Sequence, residues 1–151
     1  MQTSYWRFAA MIATSTIVMY GLMYLNTYAL EQVFWSETRA WMALVMGSTM
    51  SVIMLSFMLG MYRNRAVNLG IFGASISVFA LSLWLVRSQA TVDDVDYMKA
   101  MIPHHSIAIL TSERAQITDP RVRKLADEII EAQEREIAEM KYLAADLEER
   151  D

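Results

Sequence analysis

Three long uncharged stretches, residues 8–30, 40–62 and 66–86, constrain this 151-residue chain more than any other feature. Each is about the 20 residues that an α-helix needs to cross the hydrocarbon core of a bilayer. The four tryptophans, Trp6, Trp35, Trp41 and Trp84, fall at or near the ends of these stretches. Amphipathic rings favour that depth, the headgroup layer. The first stretch is too long for the apolar core of a signal peptide, although Thr27-Tyr28-Ala29 is a weakly cleavage-like site. Residues 1–90 therefore read as a three-span transmembrane domain.

Charge divides the chain at the same place. Residues 1–90 carry five Lys/Arg and two Asp/Glu, a net of +3, whereas residues 91–151 carry eight against fifteen, a net of −7. The acidic half excludes nucleic acid as an expected partner. With no cysteine, disulfides, thiolate metal sites and c-type haem attachment are excluded too. The turn Arg63-Asn64-Arg65 is short and positive, while the preceding connection holds Glu31, Glu37 and Arg39. Positive-inside asymmetry then places the N-terminus in the cytoplasm and, after three spans, residues 91–151 on the opposite side.

Met42, Met46, Met50, Met54 and Met58 recur every four residues in the second stretch. A thioether ladder handing Cu(I) through the membrane is one reading, and adaptable apolar packing is the other. Steps of four advance about 40° beyond a full helical turn, so five such residues form a slanted ridge rather than a pore lining. No charged residue interrupts a span, whereas ion pathways usually hold one. Packing is the preferred reading.

Residues 91–151 read as a helical hairpin. Thr91-Val92-Asp93-Asp94 resembles a capping box, so a first helix is expected from near Val92 to about Ala115, bent at Pro103. Asp119-Pro120 marks a second start, and Val122, Leu125, Ile129, Met140, Leu143 and Leu147 recur at helical spacing to the end. Two helices in about sixty residues rarely bury enough surface to stand alone. Two hairpins from two chains are therefore expected to pair into a four-helix bundle, making at least a homodimer.

The chemistry of the chain concentrates in residues 98–105, Met-Lys-Ala-Met-Ile-Pro-His-His, which hold both histidines. On a helix, Met98, Met101 and His105 fall within about 60° of one another, with Asp94 one turn earlier and His104 on the flank. The apolar seam of the second helix is interrupted at Gln133 and Glu136, and Met140 follows one turn later. A glutamate in such a stripe costs several kcal/mol if buried unpaired, and a facing histidine or metal ion relieves that cost. Imidazole with thioether suits copper, and thioether favours Cu(I) in particular. The candidate metal ligands are thus Met98, Met101, His104, His105 and Met140, with Glu136, Gln133 and Asp94 supporting or adding to them. A di-iron site would need Glu-x-x-His motifs, which the chain lacks. No nucleophile–base pair or phosphate loop is visible, so no enzyme is expected. The rival reading is a structural oligomerisation module, in which His104, His105, Gln133 and Glu136 form a buried hydrogen-bond network without metal.

Asp96-Tyr97-Met98, Met101 to His105, Ala108-Ile109, Gln133, Glu136-Ile137 and Met140 together resemble the domain of unknown function 305 family over residues 92–147. The resemblance implies a ferritin-like helical fold, copper binding by the same His and Met side chains, and a link to copper resistance in bacterial envelopes. It also implies that Gln133 and Glu136 belong to the same motif. Family members often carry a further methionine where this chain has Thr111, so fewer ions or weaker binding are expected. The membrane half lies outside the resemblance.

The expected whole is an all-α protein of the bacterial plasma membrane. Three transmembrane helices (1–90) precede a ferritin-like hairpin (91–151) held in the periplasm or outside the cell. It meets membrane lipid, a second copy of itself, and a protein that donates or accepts copper.

Overall fold

The computed structural model describes residues 5–150 and is all-helical among them. Helices α1 (Tyr5–Leu22), α2 (Glu37–Met58), α3 (Arg65–Ser88), α4 (Asp94–Arg114) and α5 (Pro120–Glu148) follow in order, with a 3-10 turn at Leu30–Gln32. They divide into two compact units. One comprises residues 5–23 and 38–91, the other residues 24–37 and 92–150.

Among the described residues of the first unit, two helices rather than three are long and apolar enough to cross a membrane: α2 and α3. The expected first span, residues 8–30, breaks off at Leu22. Within its 18 residues α1 also carries Arg7 and the run Thr14-Ser15-Thr16, which dilute its apolar character. Beyond Leu22 the chain turns, and residues 24–37 join the other unit. In the most apolar windows of α2 and α3 only 28% and 17% of residues are buried. Core helices of a water-soluble domain would instead hide most of such a surface.

Side chains from all three helices hold this unit together. Phe8 of α1, Leu55 of α2 and Tyr62 just beyond α2 form a buried cluster, and Met54, Met58, Ile71 and Phe72 pack on it. Two rungs of the methionine ladder thus serve as packing groups. Small residues allow close approach elsewhere: Ser75 donates to Ser51 across α2 and α3 at 2.9 Å. A Cβ added at Gly47 would land on the side chain of Thr16.

In the second unit α4 and α5 run antiparallel, as the ion pair Lys99–Glu148 at one end and the bond from Arg123 to the Ser112 carbonyl at the other show. The core is Ile102, Ile109 and Ile137, with Ile130, Met140 and Phe34 against it. Asp93 caps α4, its carboxylate accepting the Asp96 N–H at 2.8 Å, so the helix starts two residues later than a cap at Thr91 would place it. α4 continues through the buried Pro103 to Arg114. Asp119 caps α5 ahead of Pro120, accepting from the Arg121 backbone N–H at 2.8 Å. The Arg121 side chain and backbone together hold that carboxyl below its ordinary range.

Residues 24–37 form a strap along this hairpin. The Tyr28 N–H donates to the fully buried Ser106 Oγ at 2.6 Å, Phe34 enters the core, and Glu31 lies 3.5 Å from Lys141. The hairpin thus gains a third element from its own chain.

Replacing Gly47 by Ala should force α1 from α2, because the stiff, β-branched Thr16 has no room to yield. We expect a loss of about 1–3 kcal/mol, typical of overpacking, seen as a lower melting temperature of the detergent-solubilised protein by circular dichroism. Adding Thr16→Ala should restore part of the loss; a Gly47→Ala protein as stable as the parent would refute the close approach.

Candidate metal centre

The isoleucines of α4 set the rotation of the helix and hence where its polar groups point. Ile102 and Ile109 face α5, so His105, between them in the helical register, is drawn to the same seam. Its side chain is only 16% exposed. Its Nδ1 lies 3.1 Å from Glu136 Oε2 on α5. That contact lacks the alignment of a hydrogen bond, so Nδ1 is buried without a hydrogen-bond partner. A buried ring nitrogen in this condition costs about 1–3 kcal/mol unless something else engages it.

His105 borders a cavity of about 750 Å³ between α4 and α5. Met98 and Met101 of α4 and Met140 of α5 line it, as do Glu136 and Asp94. Six of the eight sequence-derived candidates therefore meet in one cavity. The other two stand apart from its lining. His104 is exposed, its ring 6.2 Å from that of His105, and Gln133 is half-buried on α5. Of the four groups of the expected hydrogen-bond network, His105 and Glu136 are the pair in contact.

Tyr97, quoted from the sequence only as part of the family motif, also lines it, as do Glu139, Asp146 and Arg150, which were not singled out as site residues. Glu139 reads as part of a solvated face, yet α5 brings it to the cavity's edge. Arg150 pairs with Asp146 at 2.8 Å. Only the i, i+4 spacing of that pair was a usable signal. Ser106 was also missed, and its neighbour in sequence, His105, gives it significance: the strap is tied to α4 one residue from the imidazole.

The donor set decides which ion the cavity can hold. Among the described residues there is no cluster of three or more His, Asp or Glu side chains suited to a metal. Beside four carboxylates the cavity's lining offers one imidazole and three thioether sulfurs, and imidazole with thioether is a soft set of the kind that suits Cu(I). The orphaned His105 Nδ1 is the structural observation in favour of that fit.

Comparison with known proteins bears on this region. Residues 86–151 match the family model described as Domain of unknown function (DUF305), in line with the resemblance of residues 92–147. Uncharacterized protein L153 of Acanthamoeba polyphaga mimivirus is 41% identical over 68 residues, covering 44% of this chain and 45% of that protein. The chain thus spans less than half of that relative's length. No solved structure matches.

Asp96, on the first turn of α4, tests the electrostatics of this end of the hairpin. Burial, Asp93 and Glu37 raise its carboxyl above the ordinary value, against a smaller lowering by Lys99. An acid whose folded value is raised opposes folding once ionised, and the penalty disappears as pH falls through the raised value towards 3.8. Asp96→Asn should therefore raise the melting temperature at neutral pH, with the gain vanishing in acid; a gain equal at both pH values would disprove the assignment.

Proposed function

We propose that this protein is a membrane-anchored copper-binding protein that sequesters or delivers copper in the bacterial envelope, contributing to copper resistance. The single observation that carries the reading is the cavity lined by Met98, Met101, Met140 and His105, whose Nδ1 has no aligned hydrogen-bond partner. Copper, as Cu(I), is the cargo, held by thioether and imidazole donors, with Glu136 beside the imidazole. His104, on the exposed flank, receives or releases the ion rather than holding it in the cavity.

Membrane anchoring is supported by two long apolar helices whose surfaces are mostly exposed. The two segments of the metal-binding unit flank these helices in sequence: residues 24–37 precede α2 and residues 92–150 follow α3. Two crossings would return the chain to the side it left, so both segments emerge on one face of the bilayer and can pack together, as they do. Positive residues in the α2–α3 turn favour the cytoplasm for that turn and the periplasm or exterior for the hairpin. Exposed Val122, Leu125, Tyr142 and Leu143 on α5 offer an apolar surface to a second copy, and a donor or acceptor protein completes the traffic.

The test is a Cu(I) titration of the full-length protein in detergent against a competing chelator. His105→Ala, or Met98→Leu with Met101→Leu, should weaken binding at least tenfold, the fold-change expected for loss of a charge-assisted or metal contact of about 1.4 kcal/mol. His104→Ala should weaken it less. Binding that is absent, or indifferent to His105 and the three methionines, would overturn the reading.

A further inference from the structure

The first unit holds a cavity with a different chemistry. It measures about 560 Å³ and is lined by Arg63 and Arg65, by the apolar and aromatic side chains of Leu59, Tyr62, Leu69 and Phe72, and by Asn68. Arginine heads beside an apolar wall make an amphiphilic groove.

Charge bookkeeping makes the arginines notable. The first unit contains Arg7, Arg39, Arg63, Arg65 and Arg87 and not one Asp or Glu. No residue of the unit can neutralise Arg63 or Arg65. Both are exposed, and neither takes part in an ion pair among the described residues. The backbone amides at the start of α3 are already used, because the Asn64 side chain accepts from Ala66 N at 3.1 Å and Val67 N at 3.2 Å. The guanidinium groups are therefore the free donors, and any anion they meet comes from outside the unit.

The groove is also held in shape. Asn68, buried, donates to the Tyr62 carbonyl at 2.7 Å and accepts the Tyr5 hydroxyl at 2.9 Å. The Tyr5 and Tyr62 rings pack at a tilt with centroids 4.9 Å apart, and Phe8 meets Tyr62 edge-on at 5.5 Å. A preformed site loses less freedom on binding than a floppy one.

We propose that this groove binds an anionic phospholipid, its headgroup phosphate on Arg63 and Arg65 and an acyl chain along Leu59, Leu69 and Phe72. Guanidinium groups pair with phosphate through two parallel hydrogen bonds. Basic pockets beside membrane helices at the cytoplasmic face recognise anionic headgroups by this chemistry. The site rests on α2 and α3 lying in a bilayer, but not on copper binding. General positive-inside bias accounts for arginines in the turn, but not for a shaped apolar wall next to them.

Full-length protein purified in a neutral detergent is titrated with phosphatidylglycerol, phosphatidylcholine or inorganic phosphate. Melting temperature and the lipid retained after gel filtration are recorded. Phosphatidylglycerol should be retained and should raise the melting temperature, while phosphatidylcholine and inorganic phosphate should do neither. In Arg63→Gln/Arg65→Gln retention should fall about tenfold, the scale expected for two juxtamembrane arginines. Arg63→Lys/Arg65→Lys should keep most of it; should the double Gln variant not fold, each single Arg→Gln change should lower retention by itself. Equal retention of both lipids, an equal response to inorganic phosphate, or retention indifferent to the arginines would each overturn the proposal. A protein released from membranes without detergent would instead refute the bilayer placement on which it rests.

Discussion

Ile102 and Ile109 of α4 packed on Ile137 of α5 are the contact on which the second unit depends. Burying such side chains contributes about 1.5–3 kcal/mol each, more than the roughly 1–3 kcal/mol lost by an imidazole nitrogen without an aligned partner. The isoleucines therefore dictate the rotation of α4, and His105 goes inward because its neighbours on the same stripe do. Turning it to solvent would unseat Ile102 and Ile109. A polar group held at a seam position against its own preference, beside thioethers on two helices, is where local economy is expected to yield to function.

A two-helix hairpin is a poor folding unit, and this chain improves it in a way unrelated to dimerisation. The strap of residues 24–37 covers one side with Phe34 and fixes its own backbone to Ser106. Part of the argument that the hairpin must find a second copy is thereby met from within. On α5 Val122, Leu125, Tyr142 and Leu143 nevertheless stay exposed. The strap also ties the α1–α2 connection to α4 at Ser106, one residue from His105.

Much of this was legible in the sequence, and the reasons differ by element. α5 could be read because Asp119-Pro120 fixes its start and the apolar period runs on for 29 residues. That Met98, Met101 and His105 share one cavity could be read because they lie three and seven residues apart on one helix, a purely local relation. α1 misled because an uncharged stretch gives length without saying where the helix stops. Asn26, Thr27 and the residues after them are uncharged too, yet they leave the helix to pack on a hairpin some 75 residues later. The strap was illegible for the same reason. Its contacts with Ser106, Glu113 and Lys141 span sequence separations of 78 to 110 residues, and no periodicity encodes them. His104 and His105 look equivalent in sequence, and only the isoleucine seam distinguishes the inward ring from the outward one.

Charge is sorted between the two units as cleanly as hydrophobicity is. The first holds five arginines and no acid, whereas the second holds every Asp and Glu of the chain. In a bilayer the arginines have lipid phosphate as their natural counter-ion. In water the acidic unit raises the local concentration of cations, which it does without regard to their identity. The lining of the α4–α5 cavity combines both kinds of group, the carboxylates of Asp94, Glu136, Glu139 and Asp146 and the thioethers of Met98, Met101 and Met140. Charge and donor type are thus carried there by different side chains, which single substitutions can vary separately.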